Sequence, residues 1–207
     1  MADREQLVDS QPGVVDEERI PLSKMSLNAL PGRTDTIGIV SAVMLALAMT
    51  GLLQFGERLD TLITGGLFPV AGRVIAFTLV GMGTAVFGAV PGLIVAWVNP
   101  FIATATGTSP IAPFFFLTNG LMVAAALLAA RLVRGNIVSF KYAMVHTALC
   151  AVFLTLAYIP LHVLYFQLPV SQMLIIYAVQ ALVELIATPI LLFSLLRVIK
   201  SAGFVEE

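Results

Sequence analysis

The chain has 207 residues, 59% of them hydrophobic and 11% charged, with a formal net charge of -1 and a mean hydropathy of +0.99. A soluble domain carries roughly 25% charged residues, so this composition excludes a water-soluble globule and points to an all-α integral membrane bundle. The single cysteine, Cys150, excludes an internal disulfide, and the near-zero charge gives no reason to expect a polyanionic partner.

The charges are segregated along the chain. Residues 1–33 are polar and lack the basic start and short apolar core of a cleaved signal peptide, which predicts a flexible cytosolic tail. Residues 34–200 form an apolar body in which hydrophobic stretches of about 17 to 25 residues alternate with Gly, Pro and charge clusters, and residues 201–207 form a second cytosolic tail. The first stretch, Thr36 to Phe55, ends at Gly56-Glu57-Arg58-Leu59-Asp60. A loop with Gly65, Gly66 and Pro69 leads to the second, Gly72 to Phe87, and a short uncharged turn at Gly88 to Pro91 makes a tight hairpin with the third, which ends near Thr106. The fourth covers Pro113 to Val133, the fifth Phe140 to Phe166 and the sixth Val170 to Ile199.

Basic loop residues are retained on the cytosolic side of a membrane. Six crossings with both termini inside place Arg33, Arg131, Arg134, Lys141, Arg197 and Lys200 in the cytosol and leave only Arg58 and Arg73 outside. An odd number of crossings would strand a basic group, so a multi-pass cell-membrane protein with cytosolic termini is expected.

Glu184 is the residue that demands an explanation. It is the only acid between Arg73 and Glu206, it lies mid-way along the last apolar stretch, and a carboxylate there costs about 2.5 to 3.5 kcal/mol on insertion scales. Without a cation nearby its pKa would be raised. Tyr177, Gln180, Glu184 and Thr188 share one face of the sixth helix, and Tyr158, His162 and Tyr165 share one face of the fifth. Asn119 on the fourth helix, Asn99, Trp97 and Thr104 on the third and Arg73 at the outer mouth of the second fall at compatible depths. These groups define a candidate site open to the outside, with Glu184, Gln180, Tyr177, His162, Tyr158, Asn119, Asn99, Trp97 and Arg73 as substrate-binding candidates. Asn99, Asn119 and Gln180 also read as interhelical glue, worth about 0.6 kcal/mol each, Tyr165 and Tyr177 as interfacial aromatics, and His146 as structural.

Gly38, Ala42, Ala46 and Thr50 recur every fourth residue on the first helix, a groove of small side chains that admits a close neighbour, either a partner protein or another helix of the bundle. Enzymatic motifs are missing. There is no phosphate-binding G-x-x-x-x-G-K-[ST] loop, no H-E-x-x-H or cysteine cluster for zinc, no complete dinucleotide fingerprint at Gly81-Met82-Gly83, and no defensible catalytic triad. No enzyme activity, cofactor or metal is expected.

Six helices, the A-x-x-x-A element at Ala42 and Ala46, a long first outer loop and the run Val86-Phe87-Gly88-Ala89-Val90-Pro91-Gly92-Leu93-Ile94 resemble the substrate-binding S component of energy-coupling factor (ECF) transporters. Ser109-Pro110 to Phe116, Asn119-Gly120-Leu121 and Ala129-Ala130-Arg131 are similar to that family's third outer loop and fourth helix. The resemblance covers residues 34–200. It implies capture of a vitamin or related micronutrient from outside, association with a transmembrane T component and two cytosolic ATPases, docking through Ala42 and Ala46, and lids at residues 56–70 and 107–112. The chain departs from the family in its longer tail and in Asn99 where an acid is often seen. Ala2 stands where the nickel and cobalt members carry histidine, which argues against a metal substrate. On this view Glu184 and Gln180 hydrogen-bond a nitrogen heterocycle while Tyr158, Tyr177 or Trp97 stacks on it, although Arg73 at the mouth suits a carboxylate instead. The competing classes are a proton-coupled carrier using Glu184 and a membrane scaffold of the envelope machinery that binds a partner through the small-residue groove.

Overall fold

The computed structural model describes residues 32–64, 69–107, 112–165, 167 and 169–202, and among them all regular structure is α-helical. Six helices follow one another: α1 (Thr36–Thr64), α2 (Val70–Phe87), α3 (Ala89–Thr106), α4 (Phe114–Leu132), α5 (Phe140–Tyr165) and α6 (Val170–Ser201). Each is long and apolar enough to cross a membrane. The tails expected at 1–31 and 203–207, and the proposed lid residues 65–68 and 108–111, lie outside the described residues, as does the side chain of Tyr165.

The helices are not equivalent. α2 packs against all five others, while α1, α3, α4, α5 and α6 follow one another around it. Between Gly72 and Val86 every residue of α2 except Ile75 is buried. Glycine, alanine and threonine make up much of that stretch, and small side chains are what allow neighbouring backbones to approach in lipid.

Local chemistry sets the helix ends. Asp35 accepts a hydrogen bond from the Gly38 amide at 3.2 Å, capping α1, and the Arg33 guanidinium beside it holds its carboxyl below the usual range. Ser139 caps α5 in the same way through the Tyr142 amide at 3.1 Å. Pro69 precedes α2 and provides no side-chain cap. Asp60 substitutes from α1, its two carboxylate oxygens accepting the amides of Ala71 at 2.7 Å and Gly72 at 3.0 Å. This carboxylate also complements the positive end of the α2 dipole.

α1 corrects the sequence expectation. It continues through Gly56-Glu57-Arg58-Leu59-Asp60 to Thr64, because polar residues end a hydrophobic span without ending a helix. The turn between α2 and α3 shrinks to the single residue Gly88, whose φ of 97° is a conformation that favours glycine. α4 closes in a Schellman motif, with Arg134 in the left-handed region and the Gly135 amide reaching the Ala130 carbonyl at 2.8 Å.

Side chains from α5 brace α2 through its backbone. The Tyr142 hydroxyl donates to the Gly81 carbonyl at 3.0 Å, and one helical turn away His146 Nε2 lies 3.0 Å from the Phe77 carbonyl. Gly81 makes the approach possible, since a Cβ there would lie 2.5 Å from His146 Nε2. The structural reading of His146 is thereby explained.

With six alternating helices, the α3–α4 and α4–α5 connections fall on opposite faces. In a Cys150→Ala background, cysteines placed at the exposed positions Thr106 and Asn136 should each react with an impermeant thiol reagent from one side of the membrane only, and from opposite sides. Labelling of both from the same side would contradict the helix count.

Candidate functional site

The polar residues converge where the N-terminal turn of α2 meets the middle of α6. Arg73, in the first turn of α2, is 7% exposed, and Glu184 is fully buried. Arg73 Nε stands 2.8 Å from Glu184 Oε1, Nη2 donates to Oε2 at 3.4 Å, and Nη1 donates to Gln180 Oε1 at 2.9 Å. The Nε–H does not point at Oε1, so neither atom has a hydrogen-bond partner and their contact is Coulombic. Glu184 therefore has its cation, supplied by the residue that sequence reasoning placed apart at the mouth.

This pairing follows from helix lengths. Glu184 is 14 residues into α6, about 21 Å along its axis, whereas Arg73 is three residues into α2, about 5 Å along. α2 is the shorter helix by 14 residues, so its first turn lies level with the centre of the longest one. An arginine one turn into a span is then deep in the bundle.

Aromatic rings surround the guanidinium. Arg73 Cζ is 5.5 Å from the Phe77 ring centroid, 5.7 Å from Tyr177 and 6.0 Å from Tyr158, all within cation–π range. The Tyr158 and Tyr177 ring centroids are 6.3 Å apart with their planes 22° from parallel, and the His162 ring centroid lies 5.9 and 5.8 Å from them. His162 Nδ1 lies 3.0 Å from the Tyr177 hydroxyl and 2.9 Å from the Tyr158 carbonyl. Thr118 Oγ1 is 3.4 Å from the Tyr158 hydroxyl.

Six of the expected residues thus come together: Arg73, Tyr158, His162, Tyr177, Gln180 and Glu184. Three do not join them. Trp97 is 41% exposed and donates its indole N–H to the Phe116 carbonyl at 2.9 Å, clasping α3 to α4. Asn119 donates to the Ala96 carbonyl at 2.7 Å, so it serves as glue between the same helices. Asn99, half-buried on α3, takes part in none of the cluster's bonds. Phe77 and Thr118 were missed, although Phe77 follows Arg73 by four residues, the spacing that puts two side chains on one helix face. On α6, Tyr177, Gln180, Glu184 and Thr188 are all buried on one face.

The small-residue stripe of α1 faces inward. Ala42 and Ala46 are fully buried, Gly38 is buried and Thr50 half-buried, while α1 packs on α2 and α3. The groove is filled by the chain's own helices, which corrects the expectation that Gly38, Ala42, Ala46 and Thr50 offer a partner-docking face. Thr50 Oγ1 is turned back to the Ala46 carbonyl at 3.0 Å.

Among the described residues no group of three or more His, Cys, Asp or Glu side chains is arranged to hold a metal. Comparison with protein-family models, curated proteins and solved structures finds no match for this chain.

Two outcomes follow. Arg73→Met leaves a buried carboxylate without its cation and should lower stability by about 3 to 5 kcal/mol, whereas adding Glu184→Gln should restore most of it, because the amide carries no charge and can donate to Gln180. Thermal unfolding in detergent reads both, and a stable single variant would show that Glu184 does not depend on Arg73. Ala46→Leu should cost about 1 to 3 kcal/mol by overpacking the α1 contact. Unchanged melting would contradict the internal placement of the stripe.

Proposed function

We propose that this protein is a membrane-embedded capture subunit that binds a small organic molecule at Arg73, Tyr158, His162, Tyr177 and Gln180, as the S component of an ECF-type uptake system does. One observation carries this reading: two oppositely charged side chains, each costly in a bilayer, are buried together where the first turn of α2 meets the middle of α6, with aromatic rings around the guanidinium. Packing alone gives no return on that cost, since well-packed apolar residues replace buried ion pairs at little or no loss of stability. A few convergent polar groups among aromatic walls is also the usual make-up of a small-molecule site.

The proposal places the six-helix body in the cell membrane with the end bearing Arg33, Arg134, Lys141 and Lys200 in the cytosol. The site then faces outward. A T component and cytosolic ATPases would supply the energy, docking on a surface other than the inward-facing Ala42 and Ala46. A carrier that cycles the charge of Glu184 receives no support from a carboxylate already paired with Arg73, and a scaffold role through the α1 groove receives none from a groove that is filled.

Native mass spectrometry of the protein purified from its native membranes should find a retained molecule below about 1 kDa, together with copurifying T-component and ATPase subunits. The Arg73→Met/Glu184→Gln variant should lose the small molecule while keeping its partners. Absence of both ligand and partners from the wild-type protein would refute the reading.

A further inference from the structure

At the end of the bundle where α2, α4 and α6 finish, the cations are gathered on one flank. Arg131, Arg134, Lys141 and Arg197 are all exposed there, and among the described residues none of them pairs with a carboxylate. On the other flank of the same end the described cation is Arg33, which Asp35 neutralises at 2.6 Å, and the α2–α3 turn at Gly88 carries no charge. The uncompensated charge therefore belongs to α4, α5 and α6, which are successive neighbours around α2.

Helix chemistry accounts for only part of this set. Arg131 and Arg197 lie near the C-terminal ends of α4 and α6, where the negative end of the helix dipole favours a cation. Lys141 lies in the first turn of α5, at the positive end, with no acid beside it. Arg134 has a φ of 55°, a left-handed conformation that suits glycine and strains an arginine. Neither of these two cations is favoured by its own helix, and both are explained by an anion outside the chain.

The neighbouring side chains identify that anion. Lys141 heads a line of exposed residues on α5 that continues at Ala148 and Val152, and Arg197 ends the line of Ile186 and Ile190 on α6, because residues seven and eleven apart share a helix face. Arg131 follows the exposed Leu128 by one turn in the same way. Exposed apolar residues of a spanning helix face acyl chains, so each cation stands where acyl chains give way to headgroups. Arg197 and Lys141 flank the α5–α6 seam: Arg197 Cζ is 5.5 Å from the Phe193 ring centroid, Phe193 packs edge-on against Phe140 at 5.9 Å, and Lys141 is the next residue.

We infer that this flank binds an anionic phospholipid, its phosphate held at the α5–α6 seam by Lys141 and Arg197, its acyl chains lying along the exposed apolar lines of those two helices, and its charge further attracted by Arg131 and Arg134. The inference is independent of what the site around Arg73 binds.

The full chain in nanodiscs of equal parts phosphatidylcholine and phosphatidylglycerol tests it by native mass spectrometry. A cation at a membrane surface favours an anionic over a neutral headgroup about fivefold, so the wild-type protein should retain phosphatidylglycerol about tenfold or more over phosphatidylcholine. Lys141→Gln/Arg197→Gln should lower that preference about tenfold or more, whereas Lys141→Arg/Arg197→Lys keeps both charges and should preserve most of it. All four substitutions are at exposed positions, and both variants should melt with the wild type in pure phosphatidylcholine, which separates loss of lipid from loss of fold. Phosphatidylglycerol with a photoreactive acyl chain should crosslink to α5 and α6 of the wild-type protein in preference to α1 and α3. Equal retention of the two lipids, an unchanged preference in the neutral variant, or crosslinks spread evenly over all six helices would each overturn the inference. Displacement of the retained lipid by glycerol 3-phosphate would also overturn it, assigning the cations to a soluble phosphate instead.

Discussion

Arg73 and Glu184 govern the rest of the structure, because in a bilayer neither can be left alone. Each would cost a few kcal/mol as an isolated charge in a spanning helix, and the cost falls only if the two meet. Meeting fixes the vertical register of α2 against α6: a residue one turn into a short helix must sit level with the middle of a long one. It also fixes the rotation of both helices, since Gln180 and Tyr177 on the same face of α6 must reach the same guanidinium. Hydrophobic burial cannot impose such a register in lipid, where the surroundings are as apolar as the helix surface.

A second set of contacts holds the central helix at its middle. Tyr142 and His146 reach the Gly81 and Phe77 carbonyls, just as Asn119 and Trp97 tie α4 and α3 to each other's backbone. These bonds go to backbone carbonyls, of the small residues Gly81 and Ala96 and of Phe77 and Phe116 alike. The polar residues of this chain therefore fall into two groups. Tyr142, His146, Asn119 and Trp97 reach a carbonyl of a neighbouring helix and serve the bundle, whereas the other group gathers around the guanidinium.

Much of the architecture was legible in the sequence. The ends of α4, α5 and α6 fall within two residues of the hydrophobic stretches, because in lipid the apolar run and the helix largely coincide. α1 was underestimated for the converse reason, since its last turns are polar yet helical. Face assignments within one helix, such as Tyr177, Gln180 and Glu184, follow from a 3.6-residue period, whereas contacts between helices do not. The pairing of Arg73 with Glu184, the inward turn of Ala42 and Ala46, and the separation of Trp97 and Asn119 from the site all depend on which helix lies in the centre. Hydropathy carries no information on that, although the density of glycine, alanine and threonine in α2 was a signal that could have been weighed.

The clasp between Asp60 and the first amides of α2 has a consequence for engineering. By gripping Ala71 and Gly72, this carboxylate closes the intervening chain into a loop whose two ends are fastened independently of its contents. Closure entropy rises only with the logarithm of loop length, about 0.6 kcal/mol for each doubling, so extra residues between Thr64 and Pro69 would be accommodated without displacing Arg73. An epitope or reporter domain inserted there would ride on the end of the bundle where α1 hands over to α2, while the guanidinium kept its register.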